Sequence, residues 1–526
     1  MEKLPIISVD EMIALEMRAV QVGYSEAQMM ERAGLELGRK IEKRYGIQGK
    51  KRILGIAGSG NNGGDTLTAL HFLRQLGWDC CAYVLAVEKT DAQLVSRVRI
   101  SGVNLIDASK DNRYLNLAFE CKRADIILDG ILGTGIHLPL SSGIAEILTI
   151  IEVNRQQAIV ASVDCPSGID CRTGQMANEV LSADITFCMG AVKKGLLTLP
   201  AFSKAGQLEG IDFGLEEVLP KWSNHLDFVA DAKLVSKHLP ERPRDAHKGT
   251  FGSVLIIGGC TEYRGAPLLA AHAAYSLGTG LVRLAVPASI ISSEAANLPE
   301  AVWSGLSESE GYLTEKSALE LAIQQKASDG VWLLGLGLGL TADTKAFFGE
   351  LMFGLGGDDL KRRKSGRRLL IDADGLRILS KIPDWWQKIH VPLVITPHPG
   401  EMAALTNLAV SEIQANRLEI TKTYAQKWDC VVVLKGALTI VSNADGQVCV
   451  ISGANAVLSK AGSGDVLAGM ITALMAQGVS DFPAAYCAAW IHFQCGLAAL
   501  TRIGLPESVL ATDLVNAIPL FLASIK

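Results

Sequence analysis

Two glycine-rich loops ending in aspartate, one in each half of the chain, constrain this sequence more than any other feature. The first loop covers residues 58–65 (GSGNNGGD) and directly follows the apolar run 53–57 (ILGIA). The second covers residues 461–465 (AGSGD) and opens the helical stretch 466–470. Glycines let backbone N–H groups approach an anion closely, and a following helix adds its positive N-terminal end. Two such loops with different neighbours predict two phosphate-binding sites and two chemistries.

Length and composition favour several α/β domains. The 526 residues exceed the size at which a single core keeps growing. With 49% apolar residues, 6% aromatics and 52 glycines, the chain resembles closely packed α/β layers more than a β-sandwich. Residues 224–244 combine mixed charges with Pro240 and Pro243 and lack a sustained apolar pattern, so we place the joint there. The predicted domains are residues 1–222 and 228–526.

Charge and cysteine usage narrow the class of protein. The net charge of −5 gives no support for binding nucleic acid. A basic cluster at residues 361–364 and 367–368 is interpreted as a solvated loop, with a nucleotide-steering patch as the alternative. Eleven scattered cysteines without metal-ligand spacing indicate a reducing compartment. Without a signal-peptide pattern or a membrane-length apolar run, we expect a soluble, cytoplasmic protein.

In the first half, short apolar strands alternate with helices after a helical segment at residues 8–44. The predicted strands are residues 52–57, 80–87, 126–128, 158–163 and 185–189. This alternation predicts a parallel sheet covered on both faces, and ligands of such sheets lie outside the carboxyl ends of the strands.

Three motifs follow predicted strands of this half: the GSGNNGGD loop, DGILGTG at 129–135 and VDCPSGID at 163–170. Asn62, Asp129 and Ser167 offer oxygen ligands suited to a hard cation. Taken singly, each motif is also compatible with a tight turn or a helix cap. The lone GxGxxG match is a weak dinucleotide signal, because no acidic residue stands about 20 residues further on at a suitable place.

These motifs, with GAVKKGLLTLPA at 190–201, resemble the YjeF N-terminal family, the NAD(P)H-hydrate epimerases, over residues 8–215. The resemblance implies a Rossmann-like fold and interconversion of the R and S epimers of hydrated NADH and NADPH (NADHX and NADPHX). It also implies a potassium ion held by Asn62, Asp129 and Ser167. Asp164 is the implied acid/base, with Lys193 as a helper. The implied substrate contacts are Asn61, Asn62, Gly63, Gly64, Asp65, Gly133, Thr134, Gly135, Ile136, His137, Leu138, Pro139 and Asp164.

One position departs from that family's pattern. The usual glycine after the loop aspartate is Thr66 in this chain, and we expect it to narrow the approach to a phosphate.

The second half repeats the strand-and-loop pattern. Predicted strands at residues 253–257, 331–334, 369–371, 393–395 and 431–434 each lead into a glycine-, proline- or aspartate-containing loop. Their loops should converge at one edge of a second α/β sheet. AGSGD at the start of a helix is suited to bind a terminal phosphate, with Asp465 placed to act on the attacking or leaving group. Lys435 and His398 follow other strands; alone, they could be a surface charge and a rigid turn residue.

The motifs HKGTFGSVLIIGG, IDADGL, TPHPGEM, VVLKGALT and KAGSGDVLAG resemble the YjeF C-terminal family over residues 228–526. These are ADP-dependent NAD(P)H-hydrate dehydratases of the ribokinase-like superfamily. The resemblance implies that ADP, with Mg²⁺, phosphorylates the C6 hydroxyl of the S-hydrate, after which loss of phosphate restores the nicotinamide and leaves AMP. Asp465 is the implied general base. The implied contacts with the hydrate are Gly280, Gly339, His398 and Asp465, and those with ADP are Lys435, Gly436, Ala437, Leu438, Thr439 and Gly464.

Together the two resemblances imply one fused enzyme that repairs hydrated NADH and NADPH, which we expect to be a homo-oligomer. One alternative is a small-molecule kinase of the ribokinase superfamily with a regulatory N-terminal half. The other alternative is an N-terminal half that binds a nucleotide or a partner without catalysis.

Overall fold

The computed structural model describes residues 3–46, 51–224, 226–324, 330–354, 366–453 and 455–525. The chain divides into two compact units, Met1–Val229 and Ala230–Lys526, called unit 1 and unit 2 below. Both units are α/β, which confirms the predicted fold class. Within the described ranges, no helix combines the length and the apolar character needed to cross a membrane.

Unit 1 contains two groups of strands with helices between them. One sheet has the strand order β4-β3-β2-β5-β6-β7-β9 and is parallel throughout. Separately, β1 pairs with β8 in parallel and with β10 antiparallel. The elements are β1 (Leu4–Ile7), α1 (Val9–Gln21), α2 (Glu26–Tyr45), β2 (Arg52–Ala57), α3 (Asn61–Gln75), β3 (Asp79–Val84), α4 (Ala92–Ile100), β4 (Asn104–Asp107), α5 (Leu115–Arg123), β5 (Ile126–Gly130), α6 (Ser142–Asn154), β6 (Ile159–Val163), β7 (Ile185–Met189), β8 (Val192–Lys193), α7 (Phe202–Ala205), β9 (Gln207–Ile211), α8 (Leu215–Val218) and β10 (Phe228–Val229).

The order of the strands in this sheet fixes where a ligand can bind. From β2 the chain proceeds to β3 and β4 on one side, and then returns to place β5 on the other side of β2. This reversal is the topological switch point at which α/β sheets open a crevice outside their carboxyl ends. The inner strands β2, β3, β5, β6 and β7 are buried along almost their whole length, which explains why their sequences are largely apolar. The edge strands β4 and β9 are partly exposed and contain polar residues.

The predicted helical segment 8–44 is two helices, α1 and α2. Each one begins with a serine capping box, formed by Ser8 with Glu11 and by Ser25 with Gln28. In a capping box the serine oxygen accepts a backbone N–H of the first turn and the acidic or amide side chain returns a bond to the serine N–H. The second box therefore starts a new helix where apolar spacing alone suggested continuity.

Unit 2 is built on a sheet with the strand order β13-β12-β11-β16-β17-β18-β19-β20-β21. Neighbouring strands are parallel from β13 to β19 and antiparallel from β19 to β21. The elements are α9 (Ala232–His238), β11 (Ser253–Ile257), α10 (Gly265–Ser276), β12 (Leu281–Pro287), α11 (Ala288–Glu294), β13 (Val302–Leu306), β14 (Glu308–Ser309), β15 (Tyr312–Leu313), α12 (Glu315–Gln324), β16 (Val331–Leu334), α13 (Ala342–Phe353), β17 (Arg368–Ile371), α14 (Asp374–Leu379), β18 (Leu393–Ile395), α15 (Pro399–Thr406), α16 (Val410–Ala415), α17 (Arg417–Trp428), β19 (Val431–Leu434), β20 (Thr439–Ser442), β21 (Val448–Ile451), α18 (Ser463–Ala476), α19 (Asp481–Ile503) and α20 (Ala511–Ile525).

The basic cluster is only partly as predicted. Residues 361–364 lie outside the described residues. Arg367 and Arg368 are not solvated: Arg367 is buried with its guanidinium over the Trp332 ring, and Arg368 opens β17 and forms an ion pair with Asp481. The interpretation as a solvated loop is therefore wrong for these two arginines, because they pair with an aromatic ring and a carboxylate instead of water.

Candidate active sites

The motif residues of unit 1 gather at the carboxyl ends of β2, β5, β6 and β7, which are neighbours in the sheet. Asn61 and Asn62 open α3 after β2, and Asp129 lies near the end of β5. Asp164 and Ser167 follow directly after β6. Parallel strands align their carboxyl ends, so residues far apart in sequence meet at one crevice.

Asp164 and Lys193 form a buried ion pair there, with Asp164 6% and Lys193 1% exposed. Lys193 Nζ donates to Asp164 Oδ1 and, at 2.9 Å, to the Met189 carbonyl; the Met189 N–H donates to Asp164 Oδ1 at 3.0 Å. Burial favours the neutral amine and is the largest single influence, but the charge of Asp164 and its hydrogen bond to the amine, with smaller contributions from Cys188 and Cys171, together outweigh it and raise the pKa of Lys193. The lysine therefore keeps its proton and presents an ammonium group to Asp164.

Asp164 also has an unusual backbone conformation. Its φ is +65°, in the left-handed region that a residue with a Cβ rarely occupies. Strained residues of this kind persist where the surrounding structure holds them, and they cluster at functional sites. Here the Asp164 N–H donates to the Phe187 carbonyl at 2.8 Å, which ties the strained residue to β7.

A second carboxylate, that of Asp129 near the end of β5, is fully buried. Ser167 donates to it through both its N–H (2.8 Å) and its hydroxyl (2.5 Å), and the Ser162 hydroxyl and Ile131 N–H add bonds of 3.3 and 3.4 Å. Burial raises the pKa of Asp129, and these hydrogen bonds oppose the rise. Among the described residues, Asp129 forms no ion pair, so its carboxylate is held by these neutral hydrogen-bond donors.

Asn62 connects the first loop to the end of β6 and to the segment that follows β5. Its amide Nδ2 donates to the carbonyls of Val163 (2.6 Å) and Leu132 (3.1 Å). A Cβ added at Gly133 would come within 2.8 Å of Asn62 Oδ1, so this glycine packs directly against the Asn62 side chain. Beyond Gly133, residues 134–139 are alternately half-buried and exposed on the way to α6. The substrate contacts assigned to residues 134–139 stay predictions.

A cavity of about 380 Å³ opens beside Asn61 and Asp65. Asp65 is 5% exposed; burial raises its pKa well above the ordinary value, and the charges of Asp164 and Glu16 raise it further. Glu16, on α1, lines the same cavity, and its pKa is also raised, mainly by burial. A role for Glu16 was not predicted, because the sequence of α1 has the pattern of an ordinary amphipathic helix. The apolar part of the wall includes Ile13, Met17, Val20, Met29, Met30, Met189 and Phe213.

The glycines of the first loop permit close backbone packing. A Cβ at Gly58 would lie 2.0 Å from the Ile131 carbonyl oxygen, and one at Gly63 would lie 2.0 Å from the Gly58 carbonyl oxygen. Thr66 does not narrow the approach to a phosphate, contrary to expectation. It is fully buried and its hydroxyl donates to the Asn62 carbonyl at 2.7 Å, so the side chain points into the helix packing.

In unit 2 a buried lysine again meets carboxylates at the carboxyl ends of strands. Lys435, after β19, donates to Asp372 Oδ1 at 2.7 Å, and Glu401 Oε2 lies 4.0 Å from its Nζ. Burial opposes the charge of Lys435, but these carboxylates outweigh it and raise its pKa. Burial also raises the pKa of Asp372, against the opposing charge of Lys435. Asp372 and Glu401 stand in the motifs IDADGL and TPHPGEM, but no role was predicted for either residue.

His398 is held by Glu401 at the start of α15. Its Nδ1 accepts N–H bonds from Gly400 (3.0 Å) and Glu401 (3.4 Å), while its Nε2 lies 3.2 Å from Glu401 Oε1. Since Nδ1 accepts, Nε2 carries the proton and points it at the carboxylate. The His398 side chain is 46% exposed, so one edge of the ring remains open to a ligand.

Asp465 lies in the first turn of α18, beside this lysine-centred group. Burial raises its pKa to about 7; the charges of Asp372 and Asp374 raise it, and that of Lys435 lowers it. A carboxyl group with a pKa near 7 can accept a proton at neutral pH and return it, as a general base requires. At Gly464, the preceding residue, an added Cβ would lie 3.5 Å from Lys435 Nζ, so the helix start faces the ammonium group.

A cavity of about 380 Å³ adjoins Gly464 and is lined by Lys435, Gly436, Ala437 and Thr439. The structure therefore brings these predicted ADP contacts together around one cavity. Leu438 is buried outside the lining.

Arg417, which sequence analysis missed, holds this loop in place. It is 7% exposed and donates to the carbonyls of Leu434 (3.0 Å), Lys435 (3.1 Å) and Leu438 (2.8 Å). Burial lowers its pKa to about 10.

Of the predicted hydrate contacts, Gly339 joins this group and Gly280 does not. The Gly339 N–H donates to Asp374 Oδ2 at 2.9 Å, at the carboxyl end of β16. Gly280 precedes β12 and therefore lies at the amino ends of the strands, where an added Cβ would meet the Lys248 carbonyl at 1.8 Å. The seven residues of β12 span about 23 Å, so the prediction for Gly280 is corrected: this glycine serves backbone packing at the opposite edge.

Comparisons with known proteins match both units. A family model described as NAD(P)H-hydrate dehydratase matches residues 254–520, and one described as YjeF-related protein N-terminus matches residues 26–195. A bifunctional NAD(P)H-hydrate repair enzyme of Moorella thermoacetica is 31% identical over 506 residues, covering 95% of this chain and 92% of that protein. One of Thermofilum pendens is 29% identical over 537 residues, covering 99% and 97%. An ADP/ATP-dependent NAD(P)H-hydrate dehydratase of Bacillus subtilis, co-crystallised with ATP and Mg²⁺, is 27% identical with a TM-score of 0.46, covering 57% of this chain and 98% of that one.

Proposed function

The chain belongs to the family of bifunctional NAD(P)H-hydrate repair enzymes, and from this premise we propose which residues carry each of its two reactions. It is an enzyme with an epimerase domain and an ADP- or ATP-dependent dehydratase domain. The substrates that we assign are the R and S forms of NADHX and NADPHX, with ADP as the nucleotide. The observation that carries the assignment is that each unit places a buried lysine–carboxylate group beside its glycine-rich loop.

In unit 1, Asp164 is the acid/base. Epimerisation at C6 requires the hydroxyl to leave as water and a water to add to the other face of the ring. A carboxylate within hydrogen-bonding reach moves the protons of both steps. Lys193 orients Asp164, since it donates to Oδ1 from a fully buried position. Asn61 and Asp65 line the neighbouring cavity, which is where we place the hydrated ring.

Potassium is assigned to Asn62, Asp129 and Ser167. The buried Asp129 carboxylate receives hydrogen bonds from neutral donors alone among the described residues, including the Ser167 hydroxyl. Carboxylate, hydroxyl and amide oxygens suit a hard cation, and the amide oxygen of Asn62 is the third ligand that we assign. When bound, the ion would neutralise Asp129 and hold the three strand-end loops together. Asn62 and Ser167 would then orient those loops around Asp164.

In unit 2, Asp465 takes the proton from the C6 hydroxyl of the S-hydrate while ADP delivers a phosphoryl group to that oxygen. Phosphate leaves far more readily than hydroxide, so the phosphate departs from C6 together with a proton from C5; this elimination restores the reduced nicotinamide and leaves AMP and phosphate. Phosphoryl transfer depends mainly on positioning and charge stabilisation, which Lys435 and the N–H groups at Gly464 supply. Mg²⁺ would accompany the nucleotide, and the buried Asp372 carboxylate, 4.0 Å from the Cβ position of Gly464, is the residue that we assign to it.

The test uses a mixed pool of R and S hydrates with ADP, with ATP or with neither. We expect complete return of the absorbance of reduced nicotinamide with a nucleotide, and epimerisation alone without one. Recovery of only the S fraction would overturn the assignment of unit 1. A stable phosphorylated product without recovered cofactor would overturn the assignment of unit 2 and support the kinase alternative.

A further inference from the structure

Two carboxylate side chains of unit 1 line one cavity without a cationic partner. They are Asp65, on α3, and Glu16, on α1, and they line the cavity of about 380 Å³ in which we place the hydrated ring. Among the described residues, neither carboxylate forms an ion pair. Folded proteins rarely bury acidic side chains that are not paired. The reaction assigned to unit 1 gives Asp65 a place beside the ring and gives Glu16 no role.

The carboxylate of Asp65 opens into that cavity. The residue is 5% exposed, and no group of the described residues donates a hydrogen bond to its side chain. Its oxygens are nevertheless not sealed, since none of the fully enclosed and unpaired side-chain atoms in the described part of the chain belongs to Asp65. A buried side chain that lines a cavity, and that is neither paired nor sealed, presents its oxygens to that cavity. Buried polar groups are nearly always hydrogen-bonded, so a ligand in the cavity is the partner that Asp65 lacks.

The ion pair of Asp164 and Lys193 lies at the edge of the same cavity. Met189 lines the cavity, and its backbone accepts a hydrogen bond from Lys193 Nζ at 2.9 Å and donates one to Asp164 Oδ1 at 3.0 Å. Two donors therefore fix Oδ1 of Asp164 in one position. Epimerisation removes an oxygen from one face of the ring and adds an oxygen to the other face. A carboxylate fixed in this way can serve one face only, so the other face requires a proton-transfer group from another element.

The surroundings of Asp65 favour its protonated form. The charged groups on the cavity side of Asp65 are Glu16, Glu26 at the start of α2, and the ion pair of Asp164 and Lys193. Burial raises the pKa of Asp65 well above its ordinary value, and the charges of Asp164 and Glu16 raise it further. The charge of Lys193 opposes this rise. A carboxyl group that keeps its proton can donate it to a leaving hydroxyl.

Building on the proposed function of unit 1, we propose that Asp65 is the second proton-transfer group of the epimerase and that Glu16 is its positioning residue. Asp65 donates its proton to the hydroxyl oxygen at C6; the C6–O bond breaks, water leaves with the bonding electrons, and the lone pair of the ring nitrogen forms a double bond to C6. A water then bonds to C6 from the other face, the double-bond electrons return to the nitrogen, and the proton that this water releases passes to Asp164. The reverse reaction exchanges the two roles, and solvent resets both groups between turnovers. Because the ring is cationic between the two steps, the negative charge left on Asp65 also stabilises it.

The first test measures epimerisation of the pure R epimer by chromatography. Asp65→Asn keeps the shape of the side chain but has no proton to donate, so kcat should fall about 10²-fold while KM stays within about twofold. Asp65→Glu keeps a carboxyl group in the cavity and should retain more activity than Asp65→Asn. Urea unfolding of unit 1 checks that both variants are folded. The exposed Glu88 supplies the control, since Glu88→Gln should change neither kcat nor KM.

The second test is the pH profile, which a purely structural role of Glu16 would not move. In the natural chain the rate should fall at high pH, where Asp65 loses its proton. Glu16→Gln removes a negative charge that favours this proton and lowers the pKa of Asp65. The fall at high pH should therefore begin about one pH unit lower than in the natural chain and in Glu88→Gln.

An Asp65→Asn enzyme with the natural kcat would overturn the inference. A loss confined to KM would do so as well, because it describes a residue that only binds the substrate. If Asp65→Asn does not fold, the pH profile of Glu16→Gln decides, and an unmoved profile ends the proposal. If Asp164→Asn stops epimerisation while Asp65→Asn does not slow it, the proposed function stands and this inference falls. If the natural chain recovers only the S fraction of a mixed pool, both fall.

Discussion

The two sites use the same components in different arrangements. In unit 1, Lys193 pairs with Asp164, the residue to which we assign the proton transfers. In unit 2, Lys435 pairs with Asp372, whereas the proposed base, Asp465, forms no ion pair among the described residues. Both lysines keep their protons, because the charges and hydrogen bonds of the groups around each lysine together outweigh the effect of burial. The difference therefore lies in which carboxylate the lysine holds.

This difference has a chemical consequence. Asp164 has a buried ammonium partner that donates to one of its carboxylate oxygens, so Lys193 fixes the orientation of this carboxylate. Asp465 is held by burial and by neighbouring negative charges, which raise its pKa to about 7. An epimerase has to move protons in both directions at equal cost, whereas the dehydratase needs a base that deprotonates a hydroxyl once per turnover. The two arrangements match these two tasks.

The largest expected effect comes from exchanging each proposed base for its amide. Asp164→Asn should lower the rate of epimerisation by about 10³-fold and leave dehydration of the pure S epimer unchanged. Asp465→Asn should do the reverse. The two rates are measured separately, by epimer ratio on chromatography and by the return of nicotinamide absorbance.

The exposed Asp445 supplies the control, because Asp445→Asn changes the same groups away from either site. An Asp164→Asn enzyme that epimerises at the natural rate would remove the proposed role of Asp164. Loss of both activities in either variant would show that the substitution acts through folding.

Replacing each of the two lysines by methionine should lower the free energy of unfolding more in unit 1 than in unit 2. Lys193 is 1% exposed, so Lys193→Met leaves Asp164 as an unpaired buried charge and should lower the free energy of unfolding of unit 1 by about 3–5 kcal/mol. The side chain of Lys435 is 19% exposed, and Lys435→Met should cost unit 2 only about 1–3 kcal/mol.

Urea unfolding followed by a probe in each unit measures both values. The double variant Lys193→Met with Asp164→Asn should recover much of the loss, because it removes both charges. Equal costs for the two lysines would contradict the contrast in burial on which this comparison depends.

The pH dependence of dehydration is the next smaller effect. A general base acts when it is unprotonated, and burial raises the pKa of Asp465 to about 7. The value of kcat/KM for dehydration should therefore fall as the pH drops, by about fivefold between pH 7 and pH 6 and by close to tenfold for each further pH unit. Stopped assays over pH 5.5–8.5 with purified S epimer measure this profile. A flat profile would show that Asp465 is not the group that limits the reaction.

Much of this architecture was accessible from sequence. The apolar strands 52–57, 185–189, 253–257, 331–334 and 431–434 match the observed bounds, because strands of a buried parallel sheet are continuous apolar runs bounded by loops. The short antiparallel strands β20 and β21 were not predicted, and neither was β1 near the N-terminus. β1 pairs with β8 and β10, which are far away in the chain, so its local sequence does not mark it as a strand. β20 and β21 instead follow β19 directly as an antiparallel meander, which differs from the strand-and-loop pattern of the parallel strands.

The sites were predicted unevenly, for a physical reason. Asp164, Lys193, Asn62 and Asp129 stand in motifs at strand ends, so topology brings them together. Glu16 and Arg417 lie within helices, where nothing in the local sequence distinguishes a residue that faces a cavity from one that faces the core. The prediction for Gly280 failed in the opposite way: this glycine was assigned to the site at the carboxyl ends of the strands, but it lies at their amino ends, directly before β12.

The smallest expected effect is on the free energy of unfolding of unit 2, which the ionised side chain of Asp465 lowers. The pKa of Asp465 is higher in the folded protein (about 7) than its ordinary value of 3.8, so the folded state binds this proton more tightly than the unfolded state does. Its contribution to stability is therefore lost as the pH rises from about 4 to 7, and above pH 7 the buried carboxylate only destabilises. Asp465→Asn cannot ionise and should stabilise unit 2 at pH 8 by about 1–2 kcal/mol, with little gain at pH 5. Urea unfolding at both pH values tests this, and a variant that is no more stable than the natural chain at pH 8 would show that Asp465 is better solvated than its burial indicates.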